Sequence, residues 1–95
     1  MKKIKIASAA IINSKKELLL VRKKNSSFFQ LAGGKINENE CKLQTVIREI
    51  HEEIGLIVTE NQLKFLGEHQ TKAVNELDTT VQGSLFLIIL EADFK

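Results

Sequence analysis

Residues 42–54 carry a repeat that constrains the whole chain. Leu43, Val46, Ile47, Ile50 and Ile54 recur at i, i+3, i+4, i+7 and i+11. At helical spacing they form one apolar stripe roughly 100° wide, the geometry of a helix that packs against a sheet. Gly55 follows as a C-terminal stop. The rest of the chain offers strand-like segments and no second helix of this quality. The expectation is therefore an α/β fold of the α+β kind: a mixed β-sheet with the 42–54 helix on one face, in a single domain spanning 1–95.

The strand-like segments can be placed. Residues 4–12 alternate and then turn apolar, which predicts a strand. Residues 13–16 look like a turn. Residues 18–21 form a short apolar run, so the pair predicts a hairpin. Residues 22–27 read as a basic, polar loop and 28–31 as another short strand. Gly33 and Gly34 are expected to break regular structure. Residues 57–58 and 63–66 are strand material, and 72–80 a polar loop. Residues 81–92 are apolar on both faces in their inner part, which predicts a central strand covered on both sides.

Composition excludes several classes. The longest apolar run, residues 85–90, is far shorter than the ~20 residues a membrane helix needs. The basic start, Met1-Lys2-Lys3, leads into no signal-like apolar stretch. The lone Cys41 permits no internal disulfide and fits a reducing, cytoplasmic setting. A net charge of +2 is too mild to signal nucleic-acid binding. The charge is unevenly spread, however. Residues 1–35 hold nine basic groups and one acidic, and residues 36–95 five basic and eleven acidic. A basic half beside an acidic half suits a polyanion and its accompanying cation.

Away from the apolar stripe, the helix carries Glu49, Glu52 and Glu53 at i, i+3 and i+4. Like charges at this spacing repel, and helix propensity does not call for them. Taken alone they are either a solvated acidic face or a patch for a hard divalent cation. Arg48, next to them, can orient carboxylates through its planar fork.

The spacing around this patch is specific. Gly34, Glu40, Arg48-Glu49-Ile50, Glu52-Glu53 and Gly55-Leu56 reproduce G-x5-E-x7-R-E-U-x-E-E-x-G-U, with U aliphatic. The chain thereby resembles the Nudix hydrolases, and the flanking strands extend the likeness over nearly its whole length. The resemblance implies hydrolysis of a nucleoside diphosphate linked to another moiety X, with magnesium or manganese. It implies Glu49, Glu52, Glu53 and Arg48 as catalytic residues, and Gly33 (through its carbonyl), Glu49, Glu52 and Glu53 as the metal set. It implies supporting roles for Gly34, Glu40 and Gly55. Arg22 stands where MutT-like members carry a phosphate-contacting arginine, and Lys35 is a second substrate candidate. His51, His69 and Cys41 have no catalytic pattern, while Glu76 and Asp78 lie in an acidic loop available to substrate or metal.

Two departures stand out. Ala32 replaces the proline that usually precedes the paired glycines. The chain also stops at Lys95, short of the strand, covering helix and loop acid that the family pattern implies. The sheet face at residues 85–90 is then left partly uncovered, which predicts pairing into a homodimer or marginal stability. The alternative to a hydrolase is a catalytically impaired Nudix-like module that binds a nucleotide or a protein partner.

Overall fold

A computed structural model describes residues 2–22, 27, 29–72 and 79–90. In chain order it contains β1 (Lys2–Ile12), β2 (Leu18–Leu19), β3 (Ala32–Lys35), α1 (Lys42–Ile54), β4 (Lys64–Lys72) and β5 (Thr79–Ile89), with a 3-10 turn at Glu60–Gln62 before β4. The sheet is mixed. β5 runs parallel to β1, pairing Lys2 with Thr79 through to Ile12 with Ile89. β4 is antiparallel to β5 on its other side. The far edge of β1 is shared between β2, at Ile11 and Ile12, and β3, at Ile6 to Ala9.

The helix bounds match the apolar repeat. Cys41 takes the N-cap position, and its backbone N–H donates to Gln44 Oε1 at 3.0 Å. At the other end Gly55 adopts φ 70° and ψ 11°, the left-handed stop, and donates to the His51 carbonyl. Val46 and Ile50 are fully buried, Leu43 and Ile47 half-buried, and Ile54 is exposed at the last turn. Val46 and Ile50, flanked by Leu43 and Ile47, join Ala7, Ala9 and Ile11 of β1 and Phe86 and Ile88 of β5 in one core. Small alanines at the crossing let the helix sit close to the sheet.

The hairpin between β1 and β2 forms as expected, and its turn is built by Asn13. That residue is buried, and its Oδ1 accepts from the amides of Lys15 and Glu17 at 3.0 and 2.9 Å. Its side-chain amide donates to Glu17 Oε1. This is the local bonding that makes Asn a turn former.

Several expectations are corrected. Gly33 and Gly34 do not break structure: they form β3. Their lack of Cβ atoms lets β3 lie unusually close to its neighbours. A Cβ on Gly33 would stand 2.2 Å from the Ala7 carbonyl, and its φ of +148° is one that side chains rarely adopt. Residues 57–58 are not a strand. Val58 is apolar because it plugs the core at 3% exposure, whereas Ile57 is 77% exposed. Of the strand expected at 28–31, residue 28 lies outside the described residues and the rest form one isolated bridge, between Val21 and Gln30; β2 stops at Leu19. The loop expected at 72–80 is shorter, because β5 starts at Thr79; residues 73–78, with Glu76 and Asp78, lie outside the described residues.

β5 is central, as expected, but among the described residues only its helix side is fully covered. Ser84, Phe86 and Ile88 are buried beneath α1. Leu85 and Leu87, on the other face, are half-buried, and Ile89 is 64% exposed. That face continues across the half-buried Ile4, Ile6 and Ile12 of β1.

Ile50 is the sharpest test of the helix orientation. Ile50→Ala should cost about 2–5 kcal/mol through the cavity it leaves. Ile50→Asp, which buries an unpaired charge, should abolish the cooperative thermal melt followed by far-ultraviolet circular dichroism.

Candidate active site

The acidic patch of α1 is organised by Arg48. Its Nε donates to Glu40 Oε2 at 2.8 Å and its Nη2 to Glu40 Oε1 at 3.1 Å, a forked pair. The same Nη2 reaches the Lys35 carbonyl at 3.2 Å, which ties the guanidinium to the end of β3. Nη1 turns the other way, to Glu49 Oε2 at 3.1 Å and more loosely to Glu52 Oε2 at 3.4 Å. One cation is thus fixed on Glu40 and presented to two of the three clustered carboxylates.

Glu40 is held in turn. Its Oε1 accepts from the Asn37 amide at 3.0 Å and from Thr45 Oγ1 at 2.7 Å. The Arg48 hydrogen bonds, then those of Thr45 and Asn37, lower the Glu40 carboxyl from 4.5 to about 2. Glu40 in turn holds the Arg48 guanidinium well above its ordinary value. Thr45 is fully buried and also donates to the Cys41 carbonyl. The family pattern leaves Thr45 unspecified, and its one signal was a hydroxyl on the core side of a first helical turn.

The paired glycines receive the carboxylates. Glu53 Oε1 accepts from the Gly33 N–H at 2.9 Å. Glu49 lies over Gly34 so closely that a Cβ there would stand 2.4 Å from its Oε2. Glu49 is largely buried, with 16% side-chain exposure, and Glu52 is open at 56%. Three carboxylates, Glu40, Glu49 and Glu52, therefore gather around one guanidinium, with Glu53 held apart on the Gly33 amide.

The donor set suits a hard divalent ion, because all its side-chain ligands are carboxylate oxygens. The glycine cradle, which a Cβ at Gly34 would fill, brings two of them onto β3. As they stand, no three acidic, His or Cys side chains among the described residues converge closely enough to hold a metal. Glu49 leans on Arg48 and Gly34 while Glu53 reaches for the Gly33 amide, so these side chains would have to turn to share one ion.

The structure does not bring every candidate to this patch. Arg22 is exposed, with Cζ 5.9 Å from the Phe29 ring centre. No hydrogen bond or ion pair joins Arg22 to the carboxylates among the described residues. Lys35 contributes its carbonyl. Its side chain follows Gly34, which faces α1, so strand alternation directs it to the opposite face. His51 is exposed. His69 is also exposed, and its ring lies against Gly83, where a Cβ would stand 2.7 Å from Cε1. No helix among the described residues is long and apolar enough to cross a membrane.

Comparison with known proteins gives a consistent likeness. The NUDIX domain family model matches residues 2–94. A Haemophilus influenzae protein named RNA pyrophosphohydrolase is 34% identical over 59 residues, covering 62% of this chain and 30% of its own length. A Proteus vulgaris protein named 8-oxo-dGTP diphosphatase is 33% identical over 63 residues, covering 62% of this chain and 56% of its own length. The chain thus spans less than two thirds of either relative. A MutT protein from Methanosarcina mazei Go1 superposes with a TM-score of 0.77 at 29% identity, over 99% of this chain and 69% of that one.

The depressed Glu40 carboxyl sets a pH dependence. A group whose folded value lies below its unfolded one stabilises the fold above the unfolded value and stops doing so as pH falls through the folded one. The melting-temperature advantage of wild type over Glu40→Gln should be full above pH 4.5 and shrink toward zero as pH approaches about 2. Thermal melts of both proteins across that range measure it.

Proposed function

The chain belongs to the NUDIX domain family, and from that premise we propose that it is a metal-dependent pyrophosphohydrolase. Its substrate would be a nucleoside diphosphate linked to another moiety X, cleaved at a phosphoanhydride bond by water. The observation that carries this reading is the Arg48 arrangement, in which one guanidinium gathers Glu40, Glu49 and Glu52 beside a glycine strand that also receives Glu53. The names of both relatives denote cleavage of phosphoanhydride bonds in nucleotide-type compounds, which supports the same reaction class here.

In this reading Glu49, Glu52 and Glu53, with the Gly33 carbonyl, hold magnesium or manganese. Bound there, the ion supplies polarisation of the pyrophosphate oxygens and a lowered pKa for the attacking water. Glu40 and Thr45 lock Arg48, and Arg48 orients Glu49 and Glu52. Gly34 leaves room for Glu49, and Gly55 ends the helix directly after the acidic turn. Arg22 takes the phosphate groups of the substrate, which requires it to leave Phe29, whereas Lys35, whose side chain is directed to the opposite face of β3, serves through its carbonyl on Arg48. The free Cys41 thiol suits a reducing compartment, in keeping with a cytoplasmic enzyme.

A specific observation favours the second reading, a module that binds nucleotide without turnover: the described carboxylates do not converge on one point. Calorimetry and turnover separate the two. Magnesium or manganese should bind wild type, and Glu53→Gln should weaken that binding by about 10–100-fold with the fold retained. A screen of nucleoside triphosphates, sugar nucleotides, ADP-ribose and dinucleoside polyphosphates should then yield phosphate or nucleotide products. Nucleotide binding with no product would select the second reading, and unchanged metal affinity in Glu53→Gln would move the metal site elsewhere.

We also propose that two copies associate through the open sheet face around Leu85, Leu87 and Ile89. Apolar patches of this kind favour association. Sedimentation across a concentration series should show a dimer, and Ile89→Lys should return it to monomer.

A further inference from the structure

A second concavity lies on the helix side of the sheet, separate from the face of α1 that carries Glu49, Glu52 and Glu53. It is a cavity of about 310 Å³ between the N-terminus of α1 and strands β1, β4 and β5, within the size range of small-molecule sites. Ile36 supplies an apolar wall and Cys41 lines the rim. Cross-strand register builds the floor: Lys5 pairs with Gln82, and Ser84 pairs with Glu68.

The charges here are unequally committed. Both oxygens of Glu40 are taken up by Arg48, Thr45 and Asn37, as described above. Both oxygens of Glu68 are occupied as well, one by Lys42 Nζ at 2.9 Å and the other by Gln82 Nε2. Lys42 retains two further N–H donors, one side of its ammonium lying 5.0 Å from the Phe65 ring centre. Lys5 lines the cavity and makes no close ion pair among the described residues, its charge acting at longer range on Glu68. The first turn of α1 opens toward the same space and has no acidic side chain of its own, and the carboxylate that precedes it, Glu40, is already bonded to Arg48, Thr45 and Asn37.

Ser84 is the independent sign that the cavity is a site. Only 6% of this residue is exposed, yet its hydroxyl has no hydrogen-bond partner among the described residues. No fully enclosed polar atom is left unsatisfied, so the hydroxyl opens onto the cavity that Ser84 lines. It is therefore available to bond a ligand oxygen held in the cavity.

We propose that this cavity binds a small phosphate-bearing molecule, its oxyanion held by Lys5, Lys42 and Ser84 at the N-terminus of α1. Two ammonium groups, a hydroxyl and a helix end supply donors from three elements, which suits the several acceptor oxygens of a phosphate better than the two of a carboxylate. The site is independent of the proposed hydrolase chemistry and needs no metal.

The test uses isotope-labelled protein in a metal chelator, titrated with inorganic phosphate and followed by amide chemical shifts. The chelator removes any metal-borne phosphate binding at the carboxylate patch. Saturable shifts are expected at Lys5, Cys41, Lys42, Gln82 and Ser84, with Arg22, Gly33 and Gly34 unmoved. Lys5→Gln should weaken binding at least tenfold and Ser84→Ala several-fold, both with wild-type melting temperatures. Acetate should bind more weakly than phosphate. Shifts centred on Arg22 and Gly33, no saturation by about 10 mM phosphate, or unchanged affinity in Lys5→Gln would overturn the site. Acetate binding as tightly as phosphate would overturn the ligand class.

Discussion

Two absent Cβ atoms hold the site together. Gly33 lies where a side chain would strike the backbone of β1, and Gly34 where one would strike the carboxylate of Glu49. The first absence lets β3 pair with β1 at all. The second lets α1 settle so that a charged side chain rests on the strand. The obstacles differ in kind. At Gly33 the neighbour is main chain and cannot yield, so any side chain there opposes the fold. At Gly34 the neighbour is the far end of a flexible glutamate, so a side chain would displace the carboxylate and spare the sheet. Adjacent glycines thus serve architecture and chemistry separately.

Electrostatics follows from that docking. Close approach of α1 to β3 concentrates three carboxylates around Arg48, whose own position is fixed by the fork to Glu40. Glu40 is therefore a positioning residue: it touches none of the other carboxylates, yet it determines which way the guanidinium faces. Its side chain is 14% exposed, so these hydrogen bonds are better shielded than a surface ion pair, which is worth about 0–1 kcal/mol. Lys35 joins the network through its carbonyl, so the end of β3 is tied to the same cation.

The helix was legible in the sequence because its stripe, its glycine stop and its charged face all agreed, and its bounds were recovered. The box residues were legible as a pattern, and the structure gives them distinct tasks: Glu53 on a backbone amide, Glu49 on a glycine, Glu52 largely free. The paired glycines were misread as a break because glycine usually signals a turn; here close packing between strands uses the same lack of a side chain. Residues 57–58 were misread because a short apolar run fits a buried coil as well as a strand. Thr45 and Ser84 were invisible, since a hydroxyl's role depends on what tertiary packing sets opposite it. Lys35 was read from its charge, whereas its carbonyl is the group that meets Arg48.

The first turn of α1 is a wall shared by two spaces. On one side Glu40 grips Arg48 and through it the acidic patch; on the other, Cys41 and Lys42 border the cavity floored by β1, β4 and β5. The wall is stiff, because Thr45 bonds both Glu40 and the Cys41 carbonyl, and Gln44 closes the helix start. A ligand in the cavity would meet Lys5, Lys42 and Ser84, and none of these bonds Arg48. The two spaces therefore share Glu40 and a common rigid turn and otherwise draw on different side chains. Sequence change on the cavity side, at Lys5 or Ser84, leaves the Arg48 network with all its partners. Change at Glu40 or Thr45 would reach both spaces at once.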